Sequence, residues 1–209
     1  MAGAVHAILI VGPTGSGKTP LGDLLASEGL SGAVCHHFDF GERLRALAGT
    51  ERPKPPFTPE EAAFVRDILA SGALLEDNDF PLASKVFSAF LADRRPQRGD
   101  IIVLNGLPRH ESQAAAFDAL ASVRAVVYLS CPAHVVFERI RADAAGDRAG
   151  RADDDMAAVE RKLAIFAQRT APLVEHYSSH GVPVVVLDVS PVTTAAQMRD
   201  RLLKEVPLG

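Results

Sequence analysis

Residues 12–19 read Gly-Pro-Thr-Gly-Ser-Gly-Lys-Thr, and the predicted elements of the chain are arranged around them. It fits the pattern G-x-x-x-x-G-K-[ST], in which a glycine-rich turn lets backbone N–H groups surround phosphate oxygens. Lys18 is predicted to hold the β and γ phosphates of ATP, and the Thr19 hydroxyl to ligate Mg²⁺. Residues 5–11 form an apolar run that predicts a strand before this loop, and leucines at 21, 24 and 25 predict a helix after it. The residues predicted to contact ATP within the loop are Gly12, Pro13, Thr14, Gly15, Ser16, Gly17, Lys18 and Thr19.

The composition is that of an ordinary globular protein, with 209 residues of which 47% are hydrophobic and 23% charged. A formal net charge of −4 gives no electrostatic reason to expect nucleic acid or an anionic membrane as a partner. The apolar N-terminal run is too short to span a membrane, and no basic segment precedes it, so no signal peptide is predicted. Cys35 and Cys131 lie in apolar runs without metal-binding spacing, which favours free thiols and a cytoplasmic location.

Apolar runs alternate with helical periodicity along the rest of the chain. Strands are predicted at 5–11, 34–38, 101–104, 124–130 and 182–187. Helices are predicted from the loop to about Gly29 and at 41–48, 58–72, 78–93, 111–121, 133–143 and 193–204, with a long one from near Asp153 that Pro172 kinks. Thr58 and Glu61 form a predicted capping box, and 142–155 a mobile loop. Five apolar strands separated by helices predict an α/β three-layer sandwich with a parallel sheet.

Three further segments resemble motifs of adenylate kinase and the related nucleoside monophosphate kinases. Residues 40–45, Phe-Gly-Glu-Arg-Leu-Arg, resemble Thr-Gly-Asp-x-Leu-Arg; 105–113, Asn-Gly-Leu-Pro-Arg-His-Glu-Ser-Gln, are similar to Asp-Gly-Phe-Pro-Arg-x-x-x-Gln; and 150–154, Gly-Arg-Ala-Asp-Asp, are similar to Gly-Arg-x-Asp-Asp. The resemblance implies one P-loop kinase domain over 1–209 with a five-stranded sheet in the order 2-3-1-4-5. It also implies a core of 1–39, 76–141 and 153–209, an acceptor-binding insert at 40–75 and a short lid at 142–152.

The resemblance also implies an activity and residue roles. The reaction would be phosphoryl transfer from ATP to a nucleoside monophosphate, with Mg²⁺, in a monomer. Arg45 and Arg109 would bind the acceptor's phosphate, Gln113 its base, and Arg139 the donor, while Arg151 would bridge the transferring group. Phosphoryl transfer depends on positioning and charge neutralisation, so the predicted catalytic residues are Lys18, Arg109, Arg139, Arg151 and Lys162. The predicted acceptor contacts are Asp39, Phe40, Gly41, Arg45, Leu75, Gly106, Arg109, Gln113 and Arg151.

Four positions depart from the family pattern. Where the family has an arginine on the long helix, this chain has Lys162. Helical geometry turns Lys162 towards the site, while Arg161 faces water. Lysine keeps the positive charge but lacks the bidentate geometry of arginine. Where the family has a second lid arginine, this chain has Asp143. Where the family has a threonine before the glycine at 41, this chain has Phe40. Where the family has an aspartate that helps to hold a Mg²⁺-bound water, this chain has Asn105, which carries no charge. Unless another carboxylate takes over this role, Mg²⁺ affinity should be lower, and Asn105→Asp is predicted to tighten Mg²⁺ use.

Asp39 leaves three interpretations open. It could cap the following helix, contact a hydroxyl of the acceptor as a positioned base, as shikimate and gluconate kinases do, or support the metal and offset Asn105. The sequence therefore predicts a nucleoside monophosphate kinase and leaves two alternatives. One is a kinase for a small hydroxyl acceptor that uses Asp39. The other is a nucleotide-binding module with little turnover, suggested by Asn105, Asp143 and Lys162 together.

Overall fold

The computed structural model of the protein describes residues 5–142 and 156–205. The predicted lid at 142–152 lies outside the described residues apart from Ala142, and so do Asp143 and Arg151.

Five parallel strands form a single sheet in the order β2-β3-β1-β4-β5, which confirms the predicted topology. The strands are β1 (Val5–Val11), β2 (Cys35–Asp39), β3 (Ile101–Asn105), β4 (Ala121–Ser130) and β5 (Val184–Asp188). Because β1 lies in the centre, the loop that follows it opens at the middle of the sheet's carboxyl edge. Ligands of open α/β sheets bind at this edge.

Helices connect the strands and cover both faces of the sheet. They are α1 (Lys18–Glu28), α2 (Phe40–Ala48), α3 (Pro59–Ser71), α4 (Phe80–Arg94), α5 (Glu111–Asp118), α6 (Ala133–Arg141), α7 (Met156–Ile165), α8 (Pro172–Ser179) and α9 (Ala195–Glu205). The capping box predicted at the start of α3 is present, since Thr58 and Glu61 exchange hydrogen bonds. No helix in the two described ranges is long and apolar enough to cross a membrane.

The alternation of side chains along β1 separates two apolar cores. Ile8 and Ile10 pack with residues of α1 and α9, whereas Leu9 and Val11 pack on the other face with residues of α2 to α5 and α8. A strand buried on both faces reads as a continuous apolar run, which is why the sequence showed this strand so clearly. The two cores hold the carboxyl edge of the sheet in a fixed shape.

The predicted boundary between α5 and β4 was wrong. Helix α5 ends at Asp118 instead of 121, and β4 begins at Ala121 instead of 124. The early part of β4 pairs with β1, but the register shifts so that Val123 and Ala125 oppose successive β1 residues and Arg124 between them is exposed. This bulge breaks the apolar pattern that sequence reasoning follows.

The long helix is interrupted just before Pro172. A π-helical turn spans Phe166–Thr170 between α7 and α8, and the Ala171 N–H donates to the Phe166 carbonyl at 2.8 Å. Pro172 has no N–H and its ring excludes the carbonyl four residues earlier, so the wider turn accommodates it. The disturbance that was predicted at Pro172 is thus taken up by the preceding turn.

Candidate active site

A cleft opens where β1, β2 and β3 end, and most of the predicted site residues line it. Those that do are Gly12, Thr14, Gly15, Gly17, Lys18, Thr19, Asp39, Phe40, Gly41, Arg45, Leu75, Asn105, Gly106, Arg109 and Lys162. The predicted residues Pro13, Ser16, Gln113 and Arg139 are not among the lining residues. The structure therefore brings the loop, Arg45, Arg109 and the long helix to one place.

The phosphate-binding loop requires glycine at several positions. A Cβ at position 12 would lie 2.7 Å from Ser16 Oγ, and Gly15 and Gly17 have φ angles of 73° and 95°. The buried Ser16 hydroxyl closes the loop from inside by donating to the Pro13 carbonyl at 2.9 Å. This geometry turns the loop's backbone towards the cleft, as an anion cradle requires.

Lys18 begins α1, directly after the left-handed Gly17. Its ammonium group donates to the carbonyl oxygens of Gly12 and Pro13 at 2.8 and 2.7 Å, so it lies over the loop. The N-terminus of α1 adds a partial positive charge at the same place. A phosphate oxygen that enters the loop can replace these carbonyls as the acceptor.

The Asp39 carboxylate accepts three hydrogen bonds at the base of the cleft. Its Oδ1 accepts from the backbone N–H of Glu42 at 2.9 Å and thereby caps α2, which confirms the capping interpretation. Its Oδ2 accepts from the Thr19 hydroxyl at 2.7 Å and from Asn105 Nδ2 at 2.9 Å. Burial would raise the pKa of Asp39, but the hydrogen bonds from Thr19 and Glu42, with smaller charge effects of His37 and Arg45, hold that pKa below its usual range.

Asn105 lies beside Asp39 on the neighbouring strand, as its direct partner in the register of β2 and β3. Its amide group donates from Nδ2 to Asp39 Oδ2 and also lies 3.2 Å from Thr19 Oγ1. An ionised carboxylate only accepts hydrogen bonds, so the amide nitrogen must face Asp39. Asn105 thus stabilises the charge on Asp39.

Two arginines, Arg45 and Arg109, line the same cleft as Lys18. Arg109 is anchored by its Nε–H, which donates to the Gly106 carbonyl at 3.1 Å. Burial lowers the pKa of the Arg109 guanidinium, Asp39 opposes that effect, and the charge of Arg45 adds to it. Within residues 5–142 and 156–205, no carboxylate forms an ion pair with either arginine. Both arginines therefore bring positive charge to the cleft, which suits an anionic ligand.

Gln113 lies behind the part of the cleft wall that carries Leu75 and Arg109. Its side chain is 1% exposed; Nε2 donates to the Leu75 carbonyl at 2.8 Å, and Oε1 accepts from the Arg109 N–H at 3.0 Å. Both ends of the amide are therefore engaged with backbone groups. In this arrangement Gln113 joins the segment before α4 to the loop that carries Arg109.

Arg139 is also buried, with 4% of its surface exposed. Its guanidinium donates to the Gly15 carbonyl and to the carbonyls of Ser190 and Thr193, each at 2.9 Å. It therefore joins the phosphate-binding loop to the segment between β5 and α9. The contact of Arg139 with the donor, which the resemblance implied, stays a prediction.

The long helix forms the remaining wall. Lys162 lines the cleft and Arg161 is exposed, as helical geometry predicted. An ion pair of 2.8 Å between Arg169 and Glu76 ties the π-helical turn to the segment before α4. Sequence reasoning missed an apolar part of the lining, because it assigned regularly spaced apolar residues to the core: Leu44, Ile68, Leu69, Leu74, Ile165 and Phe166.

The residues at the base of the cleft fit a Mg²⁺ ion bound with nucleotide. Mg²⁺ prefers oxygen ligands and is usually held by one or two protein oxygens together with phosphates and waters. Thr19 offers a hydroxyl oxygen and Asp39 a carboxylate 2.7 Å from it, and both face the cleft beside Lys18.

Comparisons with known proteins agree with this geometry. The chain is 30% identical over 200 residues to an adenylate kinase of Synechococcus sp. (strain RCC307), covering 92% of this chain and 95% of the relative. It is 33% identical over 182 residues to an adenylate kinase of Stenotrophomonas maltophilia, covering 83% of this chain and 86% of the relative. The chain belongs to the adenylate kinase family. A protein-family profile described as an AAA domain also matches residues 8–160.

Membership of the adenylate kinase family agrees with a nucleotide-binding P-loop kinase, and P-loop kinases of this kind generally use Mg²⁺ with ATP. A solved structure of a gluconokinase from Sinorhizobium meliloti shares the fold, with a TM-score of 0.54 over 96% of this chain and 91% of that one. At 20% identity this likeness shows the fold alone.

Proposed function

We propose that the protein transfers the γ-phosphoryl group of ATP to a nucleoside monophosphate. The observation that carries this proposal is the position of Arg45 and Arg109, two arginines that line the same cleft and form no ion pair with a carboxylate of the described residues. Guanidinium groups bind phosphate with two parallel hydrogen bonds, so a phosphate on the acceptor matches this pair. The adenylate kinase relatives support the same acceptor class.

The residues of the cleft divide the work of the reaction. The loop amides and Lys18 hold the donor phosphates, Arg45 and Arg109 hold the acceptor, and Lys162 faces the cleft from the long helix. Thr19 would hold Mg²⁺, which when bound neutralises charge on the donor phosphates. No general base is required, because the acceptor phosphate is already an anion. We keep Arg151 as a proposed bridge to the transferring group and 40–75 as the acceptor insert.

The apolar lining fits the base of a nucleotide. Leu74 and Leu75 lie on one wall, and Ile165 and Phe166 lie on the helix wall. Phe40 replaces the threonine of the family pattern and removes a polar contact. The pocket therefore favours a planar, largely apolar group next to the phosphate.

A hydroxyl acceptor activated by Asp39 is less well supported. The pKa of Asp39 is held below its usual range, and its carboxylate already accepts three hydrogen bonds. A weak base of this kind contributes little to removing a hydroxyl proton at neutral pH.

An ADP-release assay with Mg²⁺–ATP and a panel of acceptors tests the proposal. The panel holds AMP, CMP, UMP, GMP, dTMP and small hydroxyl compounds that lack phosphate. We expect turnover with at least one monophosphate and none with the hydroxyl compounds. Turnover confined to a hydroxyl compound, or ATP binding without any turnover, would contradict the proposal.

Arg109→Ala and Arg98→Ala form a matched pair for the same assay. Arg109 lines the cleft, whereas Arg98 is exposed in the loop before β3. Loss of one charge-stabilising donor at a reacting phosphate reduces turnover by roughly 10²- to 10³-fold. We expect this for Arg109→Ala only, and equal activities of the two variants would contradict the assignment.

A further inference from the structure

We propose that Asp39 supplies the carboxylate of the Mg²⁺–ATP site. It accepts a hydrogen bond from the Thr19 hydroxyl and carries the negative charge that position 105 lacks. The inference rests on the P-loop kinase activity of the chain and is independent of the acceptor. It assigns to β2 a task that the family resemblance places at the end of β3.

The first support is the bond between Thr19 and Asp39. A threonine hydroxyl that ligates a metal directs a lone pair at the ion, so its proton must point to another acceptor. Asp39 Oδ2 is that acceptor, because the Thr19 hydroxyl donates to it at 2.7 Å. Groups that orient a metal ligand in this way also raise the negative charge around the ion.

The second support is the exchange of residue types between paired positions. Asp39 and Asn105 are direct partners in the register of β2 and β3, so their side chains leave the sheet at the same level. The distance of 2.9 Å between Asn105 Nδ2 and Asp39 Oδ2 leaves room for one carboxylate and one donor. Two carboxylates at this distance would repel each other. The pair therefore carries one negative charge. This charge lies on β2, whereas the family resemblance places it at position 105 at the end of β3.

The third support is the rigidity of the carboxylate. Asp39 is 7% exposed, and its second oxygen accepts from the Glu42 N–H at 2.9 Å. The cap of α2 thus fixes the side chain while Oδ2 remains directed at Thr19 and the cleft. An exposed aspartate without such contacts would lose conformational entropy on binding the ion and its waters.

The test measures metal-dependent binding of a non-hydrolysable ATP analogue, AMPPNP, without any acceptor. For each variant, the Kd of AMPPNP is measured with Mg²⁺ and with EDTA. The ratio of the Kd in EDTA to the Kd in Mg²⁺ reports how strongly the metal and the nucleotide favour each other's binding to the protein. We expect Asp39→Asn to reduce this ratio by about 10- to 100-fold, as loss of a group behind a metal ligand commonly does. Asparagine is as good an N-cap as aspartate, so α2 is preserved.

The exchanged variant, Asp39→Asn with Asn105→Asp, supplies the decisive comparison. It returns the carboxylate to β3, where Asn105 Nδ2 already lies 3.2 Å from Thr19 Oγ1. We expect it to recover most of the lost ratio. Asp188→Asn is the matched control, since Asp188 ends β5 at the same edge of the sheet, is exposed and does not line the cleft. We expect it to behave like the wild type.

An unchanged ratio in Asp39→Asn overturns the proposal, and so does an exchanged variant that is as weak as the single one. Thermal unfolding of each variant verifies the fold. Asp39→Ser, which also retains a cap, replaces Asp39→Asn if that variant is unstable. Failure of the acceptor proposal is a separate result, since it would appear as absent turnover with monophosphates while these binding ratios stand.

Discussion

The Nε–H of Arg139 donates to the carbonyl oxygen of Gly15 at 2.9 Å, which ties helix α6 to the phosphate-binding loop. The same guanidinium holds the segment after β5 through the carbonyls of Ser190 and Thr193. Arg139, which is also predicted to contact ATP, therefore supports the shape of the phosphate-binding loop.

Arg139→Ala is expected to destabilise the protein and weaken ATP binding together. Four backbone carbonyls, those of Gly15, Ser190, Pro191 and Thr193, lose a charged donor, which costs about 3 kcal/mol of the free energy of unfolding. Urea denaturation and ATP titration measure the two effects. Arg141→Ala, at an exposed position of the same helix, is the control and should change neither. Weaker ATP binding at full stability would instead indicate a direct contact with the donor.

Gln113→Ala is expected to lower the free energy of unfolding, and any effect on acceptor binding should follow from that loss of stability. The Leu75 carbonyl and the Arg109 N–H lose a buried partner, which costs about 2 kcal/mol. Gln168→Ala removes an exposed glutamine and should leave stability unchanged. Should Gln113→Ala raise the KM of the acceptor without altering the urea midpoint, the amide contacts the base and not the backbone.

Local patterns predicted most of the fold. The loop at 12–19, the buried strand before it and the capping box at Thr58 each depend on neighbouring residues, so the sequence shows them directly. The bulge around Arg124 depends on pairing with a strand more than a hundred residues away, and no local signal marks it.

The same distinction separates the site residues. Motifs placed Arg109 and Lys162 at the cleft, and both line it. For Gln113 and Arg139 the resemblance predicted the region but not the hydrogen bonds that the side chains make to the backbone. Each bonds to backbone carbonyls from distant segments, such as Leu75 and Ser190. Those contacts depend on tertiary packing, which one sequence does not reveal.

Asn105→Asp alone should make stability fall as pH rises. The new carboxylate would face Asp39 at the position where Nδ2 now lies at 2.9 Å, and repulsion raises a pKa of the pair above its unfolded value. Between those two values the folded state binds more protons than the unfolded one, so the free energy of unfolding decreases with increasing pH. Urea denaturation in EDTA at pH 5 and pH 8 measures this difference.

The wild type and the exchanged variant are the controls for that measurement. In the wild type the pKa of Asp39 is lowered, so its contribution is present above the unfolded pKa and is lost only as pH falls through the folded value. Neither control should lose stability between pH 5 and pH 8 in the way that the single variant does. Equal pH dependence of all three proteins would show that the two side chains do not interact.

Lys162 provides a direct test of how charge is delivered from the long helix. Lys162→Ala should lower kcat by roughly 10²-fold, because it removes a cation from the wall of the cleft in which we propose that the phosphates react. Lys162→Arg keeps the charge and adds bidentate geometry, so its kcat should equal or exceed that of the wild type. Arg161→Ala changes the neighbouring, exposed residue and should leave kcat unaltered. A Lys162→Ala enzyme with normal kcat would remove this helix from the catalytic site and leave the transferring phosphoryl group to other cations.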